Sequence, residues 1–500
     1  MSRFGKTFVL KREGRSSKKR KFAGALIGNW RYLDWSMQLL DDRIQVQELE
    51  GKAPFDVFLE RNERTLQWFQ SSDEDHLGHL EEDIREEFQE FLRLRLEGAA
   101  QQKADDTPPV CPECGKPLSK CEKRERSFQT GAGKIRIGRV RGWCARCKEW
   151  RIPADERLGL GDGNSPYVQE MASMFASKMP FAEATKVMKK TTGVDLSESA
   201  LKRTVKKSSE KAKEMRRKRD EEASRGGAHG AKSLAAKGPI TMVIEIDAWN
   251  IRERDDWGKS AKLRKAGREP ERWHWVWTAT VFTMDQRAKV GERSVIIERG
   301  YVATRQGIDG LREQLHAEAM RRGLGSVQRV LVLGDGAAWI WNLAGDRFPD
   351  AVQRADLYHV HQHLWAASRQ LHEDPAAAER WYKRMKKSLS VGKAVKVIET
   401  MDTALNELEG QRQEELRKQL HYFREHQDRM DYDEARRRNE PQGSGAIEST
   451  CRQYQCRFKR PGQFWNTDGA EGLMCLDTFW RNDSWSQVFP PSSRKVLSRN

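Results

Sequence analysis

Two carboxylates stand where apolar runs end. "LVLGDGAAWIW" (331–341) places Asp335 directly after such a run, between two glycines, and "PITMVIEIDAWN" (239–250) carries Asp247, 88 positions earlier. In an open α/β sheet the reactive crevice lies beyond the strand ends. Two aspartates side by side there repel each other unless a cation sits between them, and oxygen ligands suit Mg2+ or Mn2+. Two such ions about 4 Å apart, held by three or four carboxylates, give the clamp used in phosphodiester chemistry. The third acid is expected in "GSGAIESTCRQYQCRFKR" (443–460), which predicts a helix with Glu448 in its first turn. Further along that helix Arg452, Arg457, Lys459 and Arg460 are expected to lie against a phosphate backbone. Taken singly, a strand-end aspartate is an ordinary turn residue and Glu448 an ordinary first-turn acid. The pair of aspartates on a basic chain shifts the balance toward a metal site.

A second constellation is built from thiols. Cys111 and Cys114 in "CPECGKPLSKCEK" are followed, 29 residues later, by Cys144 and Cys147 in "WCARCKEW". Two CxxC steps complete a four-thiolate site for one structural zinc, with no open position for catalysis. Gly115 supplies a left-handed residue after the first step. Between the pairs, "SFQTGAGKIRIGRVRGW" reads as a ribbon hairpin able to contact DNA. Cys121 is expected to be an ordinary thiol.

The elements that must position these groups follow from composition and period. Over 500 residues Lys and Arg number 91 against 74 Asp and Glu, a net charge of +17. A polyanionic partner, nucleic acid first, is the simplest reading of that excess. No apolar run is long enough to span a membrane. Eight cysteines are too few for a disulfide scaffold and point to a reducing, intracellular setting. The expected organisation is a basic disordered arm (1–23), an N-terminal helical region (24–105), the zinc ribbon (106–157) and a helix-turn-helix-like DNA-binding segment (160–225). In that segment Ser197 or Ser199 is the N-cap of a basic helix. A linker (226–238) leads to an α/β core (239–370). A helical insertion (371–440), the C-terminal part of the core (441–485) and a tail (486–500) complete the chain.

In the α/β core, "RWHWVWTATVF" (272–282) and "ERSVIIERGYVA" (292–303) are predicted strands, with a helix at 307–324 before the strand that ends in Asp335. Trp273, Trp275 and Trp277 share one strand face and are read as core and sheet surface in preference to a base-stacking platform. Glu245 shares the face of Asp247 and is expected to be a supporting or solvated acid. His359 and His363 lie four apart, but no glutamate follows His359 as a zinc-protease helix requires.

The blocks "IEIDAW", "VLGDGAAWIW", "FPDAVQRADLYHVHQHL" and "GSGAIESTCRQ…RFKRPGQFW" together resemble bacterial insertion-sequence transposases of the DDE class, the ISKra group, related to Mutator-like elements. The resemblance covers roughly residues 105–485. It implies an RNase H-like catalytic domain with an all-helical insertion, and Asp247, Asp335 and Glu448 as an acidic triad for two Mg2+ (or Mn2+) ions. It also implies that Asp356 and His359 of "DLYH" position DNA or the scissile phosphate.

The expected activity is cleavage of double-stranded DNA at terminal inverted repeats and joining of the 3′-hydroxyl ends to target DNA. A homodimer or larger assembly on DNA, in the bacterial cytoplasm with the nucleoid, goes with it. The alternatives are a stand-alone RNase H-like nuclease and a non-catalytic, domesticated DNA-binding regulator.

Overall fold

The computed structural model describes residues 54–72, 76–160, 163–225, 240–254, 258–291 and 293–491. The predicted basic arm, residues 24–53 of the predicted N-terminal helical region, the linker at 226–238 and the tail beyond residue 491 lie outside the described residues. The chain divides into two units, residues 1–95 and 96–500. In the first, α1 (Pro54–Ser71) and the start of α2 (Leu77–Asp105) meet through Phe55 and Phe58 against Phe88 and Phe91. Helix α2 ends at Asp105, where the predicted N-terminal helical region ends, and its last turns have ribbon partners: Gln101 exchanges two hydrogen bonds with Gly138, and Ala104 joins the core around Phe128 and Ile137.

The ribbon is a three-stranded sheet, β1 (Ser119–Thr130), β2 (Gly133–Cys144) and β3 (Glu149–Arg151), in that order. After the short α3 (Pro153–Arg157) come α4 (Pro166–Lys178), α5 (Phe181–Thr192) and α6 (Glu198–Ser224). Ser197 caps α6, its hydroxyl accepting from the Ala200 N–H, and left-handed Gly193 closes α5.

The central sheet has five strands in the order β10-β9-β4-β5-β8: β4 (Thr241–Glu253), β5 (Arg272–Thr283), β8 (Gly300–Thr304), β9 (Arg329–Gly334) and β10 (Val352–Ala355). Strands β4, β9 and β10 run parallel, while β5 is antiparallel to β4 and β8. Helix α7 (Ser260–Lys265) lies in the β4–β5 connection. The predicted third strand divides. Its first half, β7 (Arg293–Ile296), pairs with β6 (Arg287–Val290) in a separate ribbon, and only β8 joins the sheet.

Alternation along β4 decides what each face covers. Met242, Ile244 and Ile246 pack under α8 (Gly307–Arg321) and α9 (Ala338–Arg347). On the other face Trp249 and Ile251 share one core with α4, α5, α6, α15 (Gly445–Phe458) and α16 (Thr467–Arg481), and α17 (Trp485–Val488) closes its end. The helix-turn-helix-like segment is therefore continuous with the core of the sheet. The insertion has its own core, formed by α10 (Leu357–Leu371), α11 (Pro375–Ser390), α12 (Ala394–Leu405), α13 (Gly410–Glu425) and α14 (Tyr432–Arg437).

Arg354 fastens the insertion to the sheet. Fully buried on β10, it grips both Asp431 oxygens at 2.9 and 3.1 Å, Glu440 at 2.9 Å and the Pro441 carbonyl at 3.0 Å. Breaking a buried pair leaves uncompensated charge, which costs about 3–5 kcal/mol. Arg354→Met is expected to lower the unfolding free energy by that amount and so move the urea midpoint down, whereas Arg380→Met, at an exposed position of α11, leaves the midpoint unchanged. Equal midpoints for wild type and Arg354→Met contradict the assignment.

Candidate active site

Strand register brings the two aspartates together. Glu245 of β4 pairs with Leu333 of parallel β9, so Asp247 and Asp335, each two residues further on, stand at matching positions just past the last β4–β9 pair. Asp335 follows the end of β9, whereas Asp247 lies mid-strand because β4 runs on to Glu253 against β5, which corrects its expected place at a strand end. Asp335 turns the chain into α9 by accepting the Ala337 N–H at 2.9 Å. Gly336 between them has φ +111°, and a β-carbon there would stand 2.7 Å from a Tyr422 ring carbon, so only glycine fits. The Tyr422 hydroxyl donates to the Asp335 carbonyl at 3.2 Å.

Asp247 is half-buried. It accepts the Ala248 N–H at 2.7 Å, and the buried Cys451 thiol approaches its other oxygen at 3.6 Å. Burial raises its pKa, the charge of Asp335 pushes the same way, and these donors with His359 oppose.

Asp356 and His359 face the same corner. Asp356 is buried at the N-terminus of α10, where it accepts the Tyr358 N–H at 2.6 Å, the Ser444 N–H at 3.0 Å and the Ser444 hydroxyl. Burial alone would raise its pKa, but contacts with His359, Ser444 and Tyr358 prevail and hold it at about 2. His359 Nδ1 stands 3.7 Å from Asp356. That neighbour, with the fields of Asp335 and Asp247, raises the imidazole above its ordinary range against the effect of burial.

Glu448 lies one turn before Cys451 on α15, whose end is fixed from below. Glu245, 1% exposed, accepts the Ile447 N–H at 2.8 Å, and Arg299 donates to the Ala446 carbonyl at 3.2 Å. Glu245 is thus a buried helix cap and not a solvated acid. The Glu448 carboxylate itself is 60% exposed and pairs with Arg452 at 2.6 Å. The structure brings Asp247, Asp335 and His359 together, and leaves Glu448 on the adjacent turn, facing solvent.

Two of the expected phosphate-contacting cations are committed elsewhere. Arg457 is 3% exposed, donates to the Ala176 carbonyl at 2.9 Å and packs over Trp465, which corrects its expected place against DNA. Its helical phase matches Ile447, Cys451, Tyr454 and Phe458, the buried stripe of α15. Burial lowers its pKa to about 10. Arg460 pairs with Glu183 at 3.2 Å, while Lys459 is exposed and reaches Asn250 at 3.1 Å. In the ribbon, Arg139 is buried against Asp155 and the Phe128 ring, so Lys134 and Arg136 are the exposed cations of "KIRIGRVR".

Residues of the insertion were missed as site components. Tyr422 stacks on His363 with centroids 3.7 Å apart and meets His426 edge-on at 4.7 Å. His363 also contacts Gln419 at 2.8 Å, a satisfied packing histidine. The signal for these contacts in sequence is weak: aromatic residues on helices with ordinary amphipathic spacing.

The four thiols gather as their spacing predicts. The sulfurs of Cys111, Cys114, Cys144 and Cys147 all lie within 4.8 Å of one another, and can hold a tetrahedral metal such as zinc. Each CxxC is followed by a left-handed residue, Gly115 (φ 69°) and Lys148 (φ 55°), whose N–H returns to the first cysteine's carbonyl. Cys121 stays outside the cluster. Among the described residues no carboxylate triad is gathered to that separation.

Residues 287–486 match the uncharacterised protein family UPF0236. That region holds Asp335, Asp356, His359 and Glu448, but neither Asp247 nor the cysteine cluster. No curated protein matches the chain. No helix among the described residues is long and apolar enough to cross a membrane.

Two outcomes follow from the geometry. Glu245 has its pKa raised from 4.5 to about 7, chiefly by burial. A raised folded-state pKa adds stability that is complete below 4.5 and lost as pH rises through about 7. Glu245→Gln, which keeps an acceptor for Ile447, is expected to flatten that part of the melting temperature–pH curve; an unchanged curve contradicts it. Elemental analysis should find one zinc per chain, lost in the Cys111→Ser/Cys144→Ser variant. A metal-free wild type purified with zinc present refutes the metal centre.

Proposed function

We propose that the protein is a DNA transposase of the acidic-triad class, with an RNase H-like core and the insertion packed beside its site. The observation that carries this reading is the matched placement of Asp247 and Asp335 just past the last pair between neighbouring parallel strands, with Glu448 one helical turn from Asp247's thiol partner. The mixed sheet covered on both faces and the net charge of +17 support it.

The donor set fits hard divalent cations: like charges face each other across two strands, with one imidazole as their local counter-charge. Asp247 and Asp335 would hold two Mg2+ or Mn2+ ions, joined by Glu448 once it releases Arg452. When bound there, such ions supply activation of an oxygen nucleophile and neutralise charge on the scissile phosphate. Asp356, 3.7 Å from His359 Nδ1, favours the protonated imidazole, whose Nε2 side would be left for a non-bridging phosphate oxygen. Tyr422 fixes the Asp335 backbone. Hydrolysis breaks a phosphodiester and frees a 3′-hydroxyl; attack of that hydroxyl on target DNA forms one phosphodiester and breaks another. Lys134, Arg136 and the exposed lysines of α6 supply salt-dependent affinity for duplex DNA. Cutting two ends together calls for at least two copies on DNA.

The test is a labelled duplex bearing the inverted repeat of the element that encodes the chain. Mg2+-dependent nicking and strand joining are expected for wild type, with background cleavage in EDTA or for Asp335→Ala while binding persists. Cleavage without joining favours a stand-alone nuclease, and metal-independent binding without cleavage favours a regulator. Tyr422→Ala is expected to lower the cleavage rate by about 10–100-fold, as loss of a ligand-orienting partner does, with duplex affinity unchanged. A wild-type rate removes Tyr422 from that role.

A further inference from the structure

The β4–β5 hairpin outgrows its sheet. Its register runs from Met242↔Thr283 to Glu253↔Arg272. Strand β9, however, stops pairing at Glu245, and β8 reaches only Trp277. Beyond Ala248 the hairpin is two strands wide, with Trp465 bridging to the β4 edge at Glu253. One face stays covered, with Trp249, Ile251 and Glu253 buried. Among the described residues the opposite face is left open at Trp273 and Trp275, which are 55% and 53% exposed on the sheet surface, while Trp277 packs against the core. Sequence spacing gives the alternation but not where α8 and α9 end. Two neighbouring exposed indoles form an apolar surface that asks for a partner.

The described side chains over these rings are cations. Arg252 lies 5.3 Å from the Trp273 centroid, and Lys459 lies 5.6 Å from it while hydrogen-bonding Asn250 at 3.1 Å. Arg252 also covers Phe464 at 5.4 Å, with Arg254 at 4.1 Å. Aromatic faces flanked by cations are the two requirements of single-stranded nucleic-acid binding: rings on which bases stack, and charge for the backbone. A second copy of this chain would set like charge against like. A duplex keeps its base faces covered and cannot use the indoles.

Distance favours a link to the acidic site. Asn250 and Arg252, the cross-strand partners of Trp275 and Trp273, follow Asp247 along β4 by about 10 and 17 Å at the usual strand rise. Lys459, at the end of the Glu448 helix, reaches this face through Asn250, between the end of β9 pairing and the Trp465 bridge on the β4 edge. We propose that Trp273 and Trp275 are a stacking platform for unpaired bases of a nucleic-acid strand leaving the acidic site. This rests on the nucleic-acid reading above and adds how the strand is held beyond the reacting phosphate.

The experiment measures binding of the full chain in EDTA to an oligothymidylate and to a blunt duplex of equal length, with tryptophan fluorescence and anisotropy as readouts. Trp273→Ala/Trp275→Ala is expected to weaken oligothymidylate binding roughly tenfold or more, the scale of losing base–aromatic stacking, and to leave duplex binding unchanged. Trp273→Phe/Trp275→Phe should restore most of the affinity. Unchanged oligothymidylate affinity, equal weakening for both probes, or no single-strand binding by wild type overturns the platform. So does a changed oligomeric state of the alanine variant in sedimentation, which makes the surface a contact between copies. Asp335→Ala separates the two readings: its Trp-dependent single-strand binding should match wild type. If wild type shows that binding but never cleaves DNA, the platform stands and the transposase reading fails.

Discussion

The site depends on a buried carboxylate beneath a helix end. Glu245 of β4 holds the Ile447 N–H, 202 positions away in sequence, so the first turn of α15 is set by the strand that carries Asp247. A strand and a helix separated by the whole insertion thereby become one rigid unit. Charge at a helix N-terminus favours an acid, while burial resists ionising it. Arg354 does the complementary work at the other margin, where its hydrogen bonds to Asp431, Glu440 and Pro441 return the chain from the insertion toward α15.

With that frame fixed, the acidic corner is electrostatically frustrated. Asp247 and Asp335 repel, and their nearby counter-charge is His359, itself held by Asp356. Glu448 stands one turn away, paired with Arg452 on the surface. In the proposed function a divalent cation would relieve this repulsion. The zinc-type cluster is a different device: four closed thiolates suited to holding the ribbon together.

Much of this was legible in the residues, and the failures have physical causes. Asp335 could be read because an apolar run ending in an acid marks a strand end; Asp247 was placed on the right strand but not at its end, because β4 runs on to Glu253 against β5. The cysteine cluster could be read because CxxC spacing is local chemistry. Lys148 in the left-handed role that Gly115 fills was not foreseen, because lysine rarely adopts that conformation. Arg457 was misplaced because its charge was weighed before its phase: it falls on the stripe of Ile447, Cys451 and Tyr454. Tyr422 reaches Asp335 across 87 positions through packing of the insertion, and amphipathic spacing does not encode that distance. The strand predicted at 292–303 divided because half of it paired in a separate ribbon. For Trp273 and Trp275 the face was readable and the cover was not. The resemblance to DDE-class transposases drew its strength from four separate blocks, and these blocks are what the sheet and α15 bring to one end of the fold.

The central claim is that Asp247 and Asp335 form a cation site whose repulsion the metal relieves. Mn2+ binding to the zinc-loaded, DNA-free chain, followed by electron paramagnetic resonance with melting temperature on the same samples, tests it most directly. The account predicts that wild type binds Mn2+ and melts higher with it. Asp247→Asn/Asp335→Asn should melt higher than wild type without metal and show no Mn2+ response. Equal Mn2+ binding by the two proteins would contradict the claim.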